Sequence, residues 1–198
     1  MTLSKFFNRA FTLLIIVGLA ASMSSCGYND IVSKQEAVTG AWSQVQNVYQ
    51  RRSDLIPNLV NTVKGAANFE QKTLTDVMEA RAKATQVTIK ADDLSPEKIA
   101  QFQQAQQGLS SALGRLMVVS ENYPNLKANQ NFLELQSQLE GTENRITVER
   151  MKFNEAVQDY NTYIQKFPTN LTAKMFDFSK KGYFEADQSA QKAPTVTF

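Results

Sequence analysis

The chain has 198 residues, no histidine and one cysteine, Cys26, and its 21 basic and 19 acidic residues give a formal net charge of +2. The two extra positive charges come from Lys5 and Arg9 in the first 25 residues, which contain no acidic residue. The remaining 173 residues (198 minus 25) contain 19 basic and 19 acidic residues and have no formal net charge. A chain without a basic excess is not expected to bind nucleic acid, because that binding requires cations that replace phosphate counterions.

The first predicted element is an N-terminal targeting segment, residues 1–25. A basic stretch, an apolar run over 10–21 and the small residues Ser24 and Ser25 precede Cys26, an order typical of a bacterial lipoprotein signal. We therefore predict attachment of a lipid such as palmitate to Cys26 and a location in the bacterial cell envelope, with the rest of the chain outside the cytoplasm. The alternative is an uncleaved transmembrane helix, although a span needs about 20 apolar residues and this run is shorter.

The first long helix is predicted from Ile31 onward. Residues of two interleaved series recur every seven positions over five heptads, which indicates the seam of a left-handed helix pair. The seam positions are Ile31, Gln35, Val38, Trp42, Val45, Tyr49, Arg52, Ile56, Leu59, Val63 and Ala66. Pro57 lies inside this helix, so we expect a kink there, with Ser53 or Asp54 capping the exposed amides, or alternatively a complete break.

Two shorter helices and a second long helix follow. The second helix is predicted over about 69–89. The third begins at Pro96, with Ser95 as its N-cap, and ends at Tyr123, because Pro124 disfavours helical geometry in the preceding residue. The fourth repeats the seven-residue pattern at Phe132, Leu139, Ile146, Phe153, Tyr160 and Phe167.

These elements predict an all-α fold, an antiparallel up-down four-helix bundle with two long helices (first and last) and two shorter ones. Each long helix spans about 38 residues, roughly 57 Å, and exceeds the shorter helices by roughly 20 Å, so we expect a two-helix stalk that extends toward Cys26. Residues 26–186 are predicted to form the bundle domain, and residues 187–198 a disordered tail.

Three charged residues fall on the apolar seams: Arg52 in the first helix, and Glu143 and Arg150 in the fourth. If Arg52 meets Glu143 across the bundle, the pair forms a buried ionic layer, and such layers are best attested as devices that set helix register. The alternatives are a polar pocket for a small ligand within the bundle and snorkelling of these side chains to solvent.

The C-terminal segment 167–184 is rich in aromatic residues and lysines. Phe176, Phe178, Tyr183 and Phe184 are candidates for an interface with a membrane surface or a partner protein, because aromatic side chains are common at both. The alternative, which we favour, is that this segment folds back and packs on the bundle.

Several segments in the expected order resemble the LemA family. They are Gly27-Tyr28-Asn29, residues 51–60 (RRSDLIPNLV), residues 135–146 (LQSQLEGTENRI), residues 167–170 (FPTN) and residues 183–186 (YFEA). The resemblance implies a membrane-anchored helical protein, with its bundle outside the cytoplasm or at the membrane face, in a family whose molecular activity is not established. Many family members look like single-pass membrane proteins, so the lipoprotein-like start departs from their pattern.

The sequence contains no pattern typical of an enzyme. It has no histidine, and its one cysteine, Cys26, is assigned to a lipid. It also has no nucleophile elbow, phosphate-binding glycine loop or dinucleotide fingerprint. We therefore predict no catalytic, cofactor or metal site. The leading hypothesis is a non-catalytic scaffold or adaptor for another envelope protein. The alternative is an envelope binding protein that holds a small ligand at the polar layer of Arg52, Glu143 and Arg150.

Overall fold

The computed structural model describes the backbone of residues 3–65 and 69–186 and the side chains of residues 27–65 and 69–186. The side chain of Cys26 and the predicted tail, residues 187–198, lie outside the described residues. The all-α class is confirmed, because the described backbone contains six helices and no strand. The helices are α1 (Leu3–Lys64), α2 (Gln71–Gln86), α3 (Pro96–Ser120), α4 (Pro124–Lys127), α5 (Gln130–Gln165) and α6 (Thr169–Met175).

The helices pack in two pairs, in which the long α1 lies antiparallel to α5 and the shorter α2 lies against α3. These four are the predicted helices, although α1 begins at Leu3, α2 ends at Gln86 and α3 ends at Ser120. The short helices α4 and α6 were not predicted. Among the described residues, no helix combines the length and the apolar character needed to cross a bilayer.

Side-chain N-caps stabilise the first turns of α3 and α5. Ser95 Oγ accepts from the backbone N–H of Lys98 at the start of α3, as predicted. The side-chain oxygen of Asn129 accepts from the N–H groups of Asn131 and Phe132 at the start of α5, a cap that the sequence analysis missed. Each cap provides an acceptor for N–H groups that have no partner within the helix.

The helix α1 continues through Pro57, so the predicted alternative of a break is wrong. Proline has no N–H, and the carbonyl of Ser53, four residues earlier, therefore loses its helical donor. Arg81 of α2 replaces that donor, with its Nε 2.8 Å from the Ser53 oxygen. The predicted capping role is also wrong: Ser53 Oγ is buried without a hydrogen-bond partner, and the Asp54 carboxylate accepts from Gln50.

Two hydrophobic cores follow each other along the α1–α5 pair, and the apolar seam positions of α1 from Ile31 to Val63 are buried in them. The proximal core, near residue 27, consists of Ile31, Val38, Trp42, Val45, Tyr49, Ile89, Leu94, Ile99, Phe102, Ile146, Phe153, Val157, Tyr160, Ile164, Ala173 and Phe184. The distal core, near residue 64, consists of Ile56, Leu59, Val60, Val63, Leu74, Val77, Ala84, Leu109, Ala112, Leu116, Leu126, Phe132 and Leu139.

The proximal end of the bundle is more than the predicted two-helix stalk, because α6 packs against both α1 and α5 there. At the end of α6, Asp177 has a left-handed backbone (φ 57°), and the N–H of Phe178 donates to the Ala173 carbonyl at 2.9 Å. This arrangement ends the helix and reverses the chain. Residues 178–186, hereafter the strap, then return along the bundle without helix or strand.

Candidate functional site

The polar layer predicted from the helix seams lies where the two cores meet. Arg52 is 2% exposed, and its Nη1 donates to Glu143 Oε2 and to Ser110 Oγ, both at 2.9 Å. Its Nη2 donates to the side-chain oxygen of Gln106 at 2.6 Å, while its Nε has no hydrogen-bond partner. Arg52 of α1 and Glu143 of α5 therefore meet across the bundle, and α3 supplies the other two acceptors.

The two members of this ion pair differ in burial. The Arg52 side chain is enclosed, whereas the Glu143 side chain is 53% exposed, so the pair reaches solvent through its carboxylate. Arg52 does not snorkel, because its guanidinium makes its contacts inside the bundle. An enclosed cation needs such hydrogen bonds, since removing a charge from water is costly.

Arg150, the third residue of the predicted layer, contacts the strap. Its Nη2 donates to the carbonyl of Glu185 at 2.8 Å, and its guanidinium lies 4.8 Å from the centroid of the Phe184 ring. Arg150 also interacts with Tyr49, which lies in turn against Arg52. Burial raises the pKa of the Tyr49 hydroxyl, and the positive charges of the two arginines oppose that rise.

Two open cavities lie side by side between α3 and α5. The polar cavity, about 340 Å³, is lined by Tyr49, Gln103, Gln106, Ser111 and Arg150 together with the Arg52–Glu143 pair. The apolar cavity, about 330 Å³, shares that pair and is lined by Leu113, Met117 and Leu139. Because α3 pairs mainly with α2 and α5 with α1, a space remains between α3 and α5, hereafter the α3–α5 groove.

The sequence analysis missed the residues of α3 that line this groove. Gln103, Gln106 and Ser110 are spaced by three and four positions, so they share one helix face. The two glutamines are buried, and Gln106 also donates to the Ala84 carbonyl of α2 at 3.3 Å. Their signal was the helical spacing itself, which places Gln103 and Gln106 beside the apolar stripe of the same helix and Ser110 one turn further along the same face.

Three side-chain amides hold the strap to the bundle, and the sequence analysis missed these as well. Each amide donates to the carbonyl of one strap residue and accepts from the N–H of the same residue. The pairs are Asn154 with Phe184, Asn161 with Lys181 and Gln103 with Glu185, all at 2.9 to 3.0 Å. The amides thus satisfy backbone groups of the strap that have no neighbouring strand.

The strap also lies close to the start of α3. The N–H of Gly182 donates to the Leu94 carbonyl at 2.8 Å, and a Cβ at position 182 would lie 2.6 Å from the Cα of Pro96, so a larger residue does not fit there. The neighbouring Lys181 is buried, and its Nζ donates to the Asp92 carbonyl at 3.0 Å. Burial lowers the pKa of Lys181.

The four predicted interface aromatics have different environments. Phe184 is 4% exposed and lies in the proximal core, and Phe178 is half-buried against it. Phe176 and Tyr183 are 53% and 42% exposed. Packing on the bundle therefore accounts for Phe184 and largely for Phe178, while Phe176 and Tyr183 keep surface available for an interface.

The α3–α5 groove offers hydrogen bonds and apolar contacts to a bound molecule. Its polar part contains the guanidinium groups of Arg52 and Arg150 and the carboxylate of Glu143, a formal sum of +1 (2 minus 1). Among the described side chains, no group of three or more Asp, Glu, Cys or His residues is arranged to hold a metal ion.

Comparison with known proteins adds two findings. The sequence profile described as the LemA family matches residues 41–198. The chain is also similar to the protein LemA of Metamycoplasma hominis, at 26% identity over 93% of this chain and 80% of that protein. It is also similar to the magnetosome protein MamQ 2 of Paramagnetospirillum magneticum, at 27% identity over 86% of this chain and 68% of that protein. The magnetosome protein MamQ of Magnetospirillum gryphiswaldense is 26% identical over the same shares of the two chains.

Proposed function

The chain belongs to the LemA family, and from this premise we propose that it is a non-catalytic scaffold or adaptor, anchored to a membrane of the bacterial cell envelope. Its N-terminal apolar run and Cys26 supply the anchor, as a lipid or as a helix. The bundle lies outside the cytoplasm and holds another envelope protein.

The α3–α5 groove is the observation that carries this proposal. Its polar and apolar parts, about 340 and 330 Å³, adjoin at Arg52, Ser110 and Glu143 and are both open to solvent. Sites for small molecules usually enclose most of the ligand surface. An open groove with an apolar half and a polar half instead suits a protein segment that places an apolar side chain beside a hydrogen-bonding group.

The chemistry of the groove supports a non-catalytic role. Arg52 donates to three side chains of the bundle, and Arg150 donates to the backbone of the strap. General acid–base and nucleophilic catalysis need a group poised to transfer a proton or to attack, usually histidine, cysteine or a carboxylate with a shifted pKa. The two arginines of the groove are instead held by structural hydrogen bonds.

Site-specific crosslinking in native membranes tests the proposal. A photo-crosslinking amino acid at Leu113 or Gln136, which line the apolar cavity, is expected to capture one specific envelope protein. The same amino acid at the exposed Asn144 serves as the matched control, since it lies on α5 outside both cavities. Capture of the same proteins from all three positions, or of none, would contradict the adaptor role.

One observation favours a second candidate, an envelope binding protein for a small anionic ligand. The polar cavity has a formal excess of one positive charge, and the buried Nε of Arg52 has no hydrogen-bond partner. A carboxylate or phosphate group would supply acceptors to both arginines. Thermal unfolding with added inorganic phosphate or succinate should then show a raised Tm that disappears in Arg150→Gln.

A further inference from the structure

Helix α6 and the residues directly before and after it carry four exposed apolar side chains. Phe167 is 81% exposed, Leu171 57%, Met175 73% and Phe176 53%. Leu171 and Met175 share the outer face of α6, Phe167 lies in the turn just before the helix, and Phe176 follows its last residue; these four residues are hereafter the α6 patch. Exposed apolar residues scattered singly are ordinary, but a contiguous patch of them usually marks an interaction surface.

Packing within the bundle does not need the α6 patch. The opposite face of α6, with Thr169, Thr172 and Ala173, is buried and already joins the helix to α1 and α5. Within the patch, the Phe176 ring contacts Tyr28 of α1, with the ring centroids 4.8 Å apart. The exposure of Phe167, Leu171 and Met175 is not explained by the internal packing of the described residues.

The position of α6 identifies what can cover the patch. Thr172 Oγ1 lies 3.8 Å from the point where a Cβ of Gly27 would lie, so α6 is level with the proximal end of the described side chains of α1. The apolar run 10–21 of the predicted anchor ends six residues before Gly27, which corresponds to roughly 9 Å of helix at 1.5 Å per residue. The patch is thus at the end of the bundle from which the chain continues toward its anchor.

The charges around the α6 patch complement an anionic surface. Lys166 and Lys174 are exposed next to it in the chain, Lys180 is exposed in the strap that follows, and Asp177 is the one acidic residue within 166–180, which gives a formal sum of +2 (3 minus 1). Apolar side chains flanked by lysines are typical of segments that lie in the headgroup region of a bilayer, because the rings and aliphatic chains enter the lipid while the ammonium groups stay at its surface.

We propose that the α6 patch docks into the surface of an anionic phospholipid bilayer and holds the proximal end of the bundle against the membrane. The inference rests on the membrane anchoring in the proposed function, and it is independent of the adaptor role. The α3–α5 groove lies on the bundle body beyond α6 and remains accessible to a partner.

Tryptophan quenching by lipids with brominated acyl chains tests this docking. The full chain is incorporated into vesicles of phosphatidylglycerol and phosphatidylcholine, and Phe167→Trp and Phe176→Trp are compared with the parent chain, whose one tryptophan, Trp42, is buried. Both added tryptophans are expected to lose most of their emission. Replacing the three lysines with glutamine should reduce that loss, and so should vesicles of phosphatidylcholine alone.

Ser33→Trp is the matched control, because Ser33 is exposed on α1 at the same end of the bundle. It should keep its emission. Equal quenching at positions 33 and 176, or no quenching at 176 in a chain that floats with the vesicles, would overturn the docking while leaving the anchor intact. A chain that does not float would overturn the anchoring itself. A concentration-dependent blue shift without quenching would assign the patch to a second copy of the chain and would also overturn the proposal.

Discussion

The proximal and distal halves of the bundle share α1 and α5 as walls, but the chain completes them in different ways. In the proximal half, α6 and the strap close the core, the Phe184 ring contacts Trp42 and Phe153, and three side-chain amides bind the strap backbone. In the distal half, α2 and α3 cover a mainly aliphatic core, and the α3–α5 groove opens from the junction of the two halves along its apolar part. We therefore expect the proximal half to contribute most to stability and the distal half to tolerate change where the groove is exposed.

Removal of the Phe184 ring from the proximal half should cause the largest loss of stability. Phe184 is 4% exposed, and Phe184→Ala leaves a cavity in the proximal core, which should lower the free energy of unfolding by about 3–5 kcal/mol. Urea unfolding measures the change. The exposed Phe167 provides the control, because Phe167→Ala should alter the stability of the detergent-solubilised chain very little. Similar values for both variants would mean that the strap does not close the core.

Loss of one side-chain amide that binds the strap should cause the next largest loss of stability. Asn161→Leu leaves the N–H and carbonyl of Lys181 without their partner, at a cost of about 1–3 kcal/mol for each buried group. The exposed Asn144 is the control, and Asn144→Leu should be nearly neutral. Hydrogen exchange should show faster exchange of the Lys181 amide in Asn161→Leu alone. Unchanged protection would indicate that the strap is held by its side chains and not by the amides.

Substitution at the ion pair tests how much stability the polar layer contributes at the junction of the two halves. Glu143→Leu should lower the free energy of unfolding by more than the roughly 1 kcal/mol expected for an exposed ion pair and by less than the roughly 3–5 kcal/mol expected for a buried one. The reason is that Glu143 is half-exposed whereas Arg52 is enclosed. The double variant Arg52→Met/Glu143→Leu should recover or exceed the parental stability, because no unpaired charge remains buried. A lone Glu143→Leu that leaves the stability intact would refute the importance of the ion pair.

The contact between α2 and the proline of α1 offers a smaller test within the distal half. Arg81→Met removes the donor to the Ser53 carbonyl and should cost about 1–2 kcal/mol. In a Pro57→Ala background the same substitution should cost less, because residue 57 then supplies its own N–H to that carbonyl. A double-mutant cycle by urea unfolding measures the difference. Equal costs in both backgrounds would show that Arg81 does not compensate for the proline.

The smallest expected effect is a pH dependence located in the strap. Burial lowers the pKa of Lys181 from 10.5, so between that lowered pKa and 10.5 the unfolded chain binds more protons than the folded chain, and stability should rise with pH through that window. The stability of the parent chain relative to Lys181→Met should therefore increase as the pH approaches 10.5. Parallel pH profiles for the two proteins would show that Lys181 is not desolvated when the chain is folded.

Ile89 shows how far the sequence predicted the fold. The second helix was predicted to extend to this residue, but Ile89 lies in the loop after α2, where its side chain is 3% exposed. Trp42 Nε1 and Gln46 Nε2 both donate to its carbonyl at 3.3 Å, and this carbonyl is available because the helix ends at Gln86. A seven-residue repeat indicates which side chains are buried, whereas the position of a helix end depends on partners elsewhere in the chain.

The sequence by itself determined most local features of this protein: the four main helices, their seams except Phe167, the cap at Ser95 and the charges at Arg52, Glu143 and Arg150. These follow from helical periodicity and backbone chemistry, which act over a few residues. Only the tertiary structure decided that Arg81 would donate to Ser53, 28 residues away, and that Gln103 would hold Glu185, 82 residues away. Such pairs depend on the register between helices, since a buried backbone group accepts whichever donor the packing brings within about 3 Å.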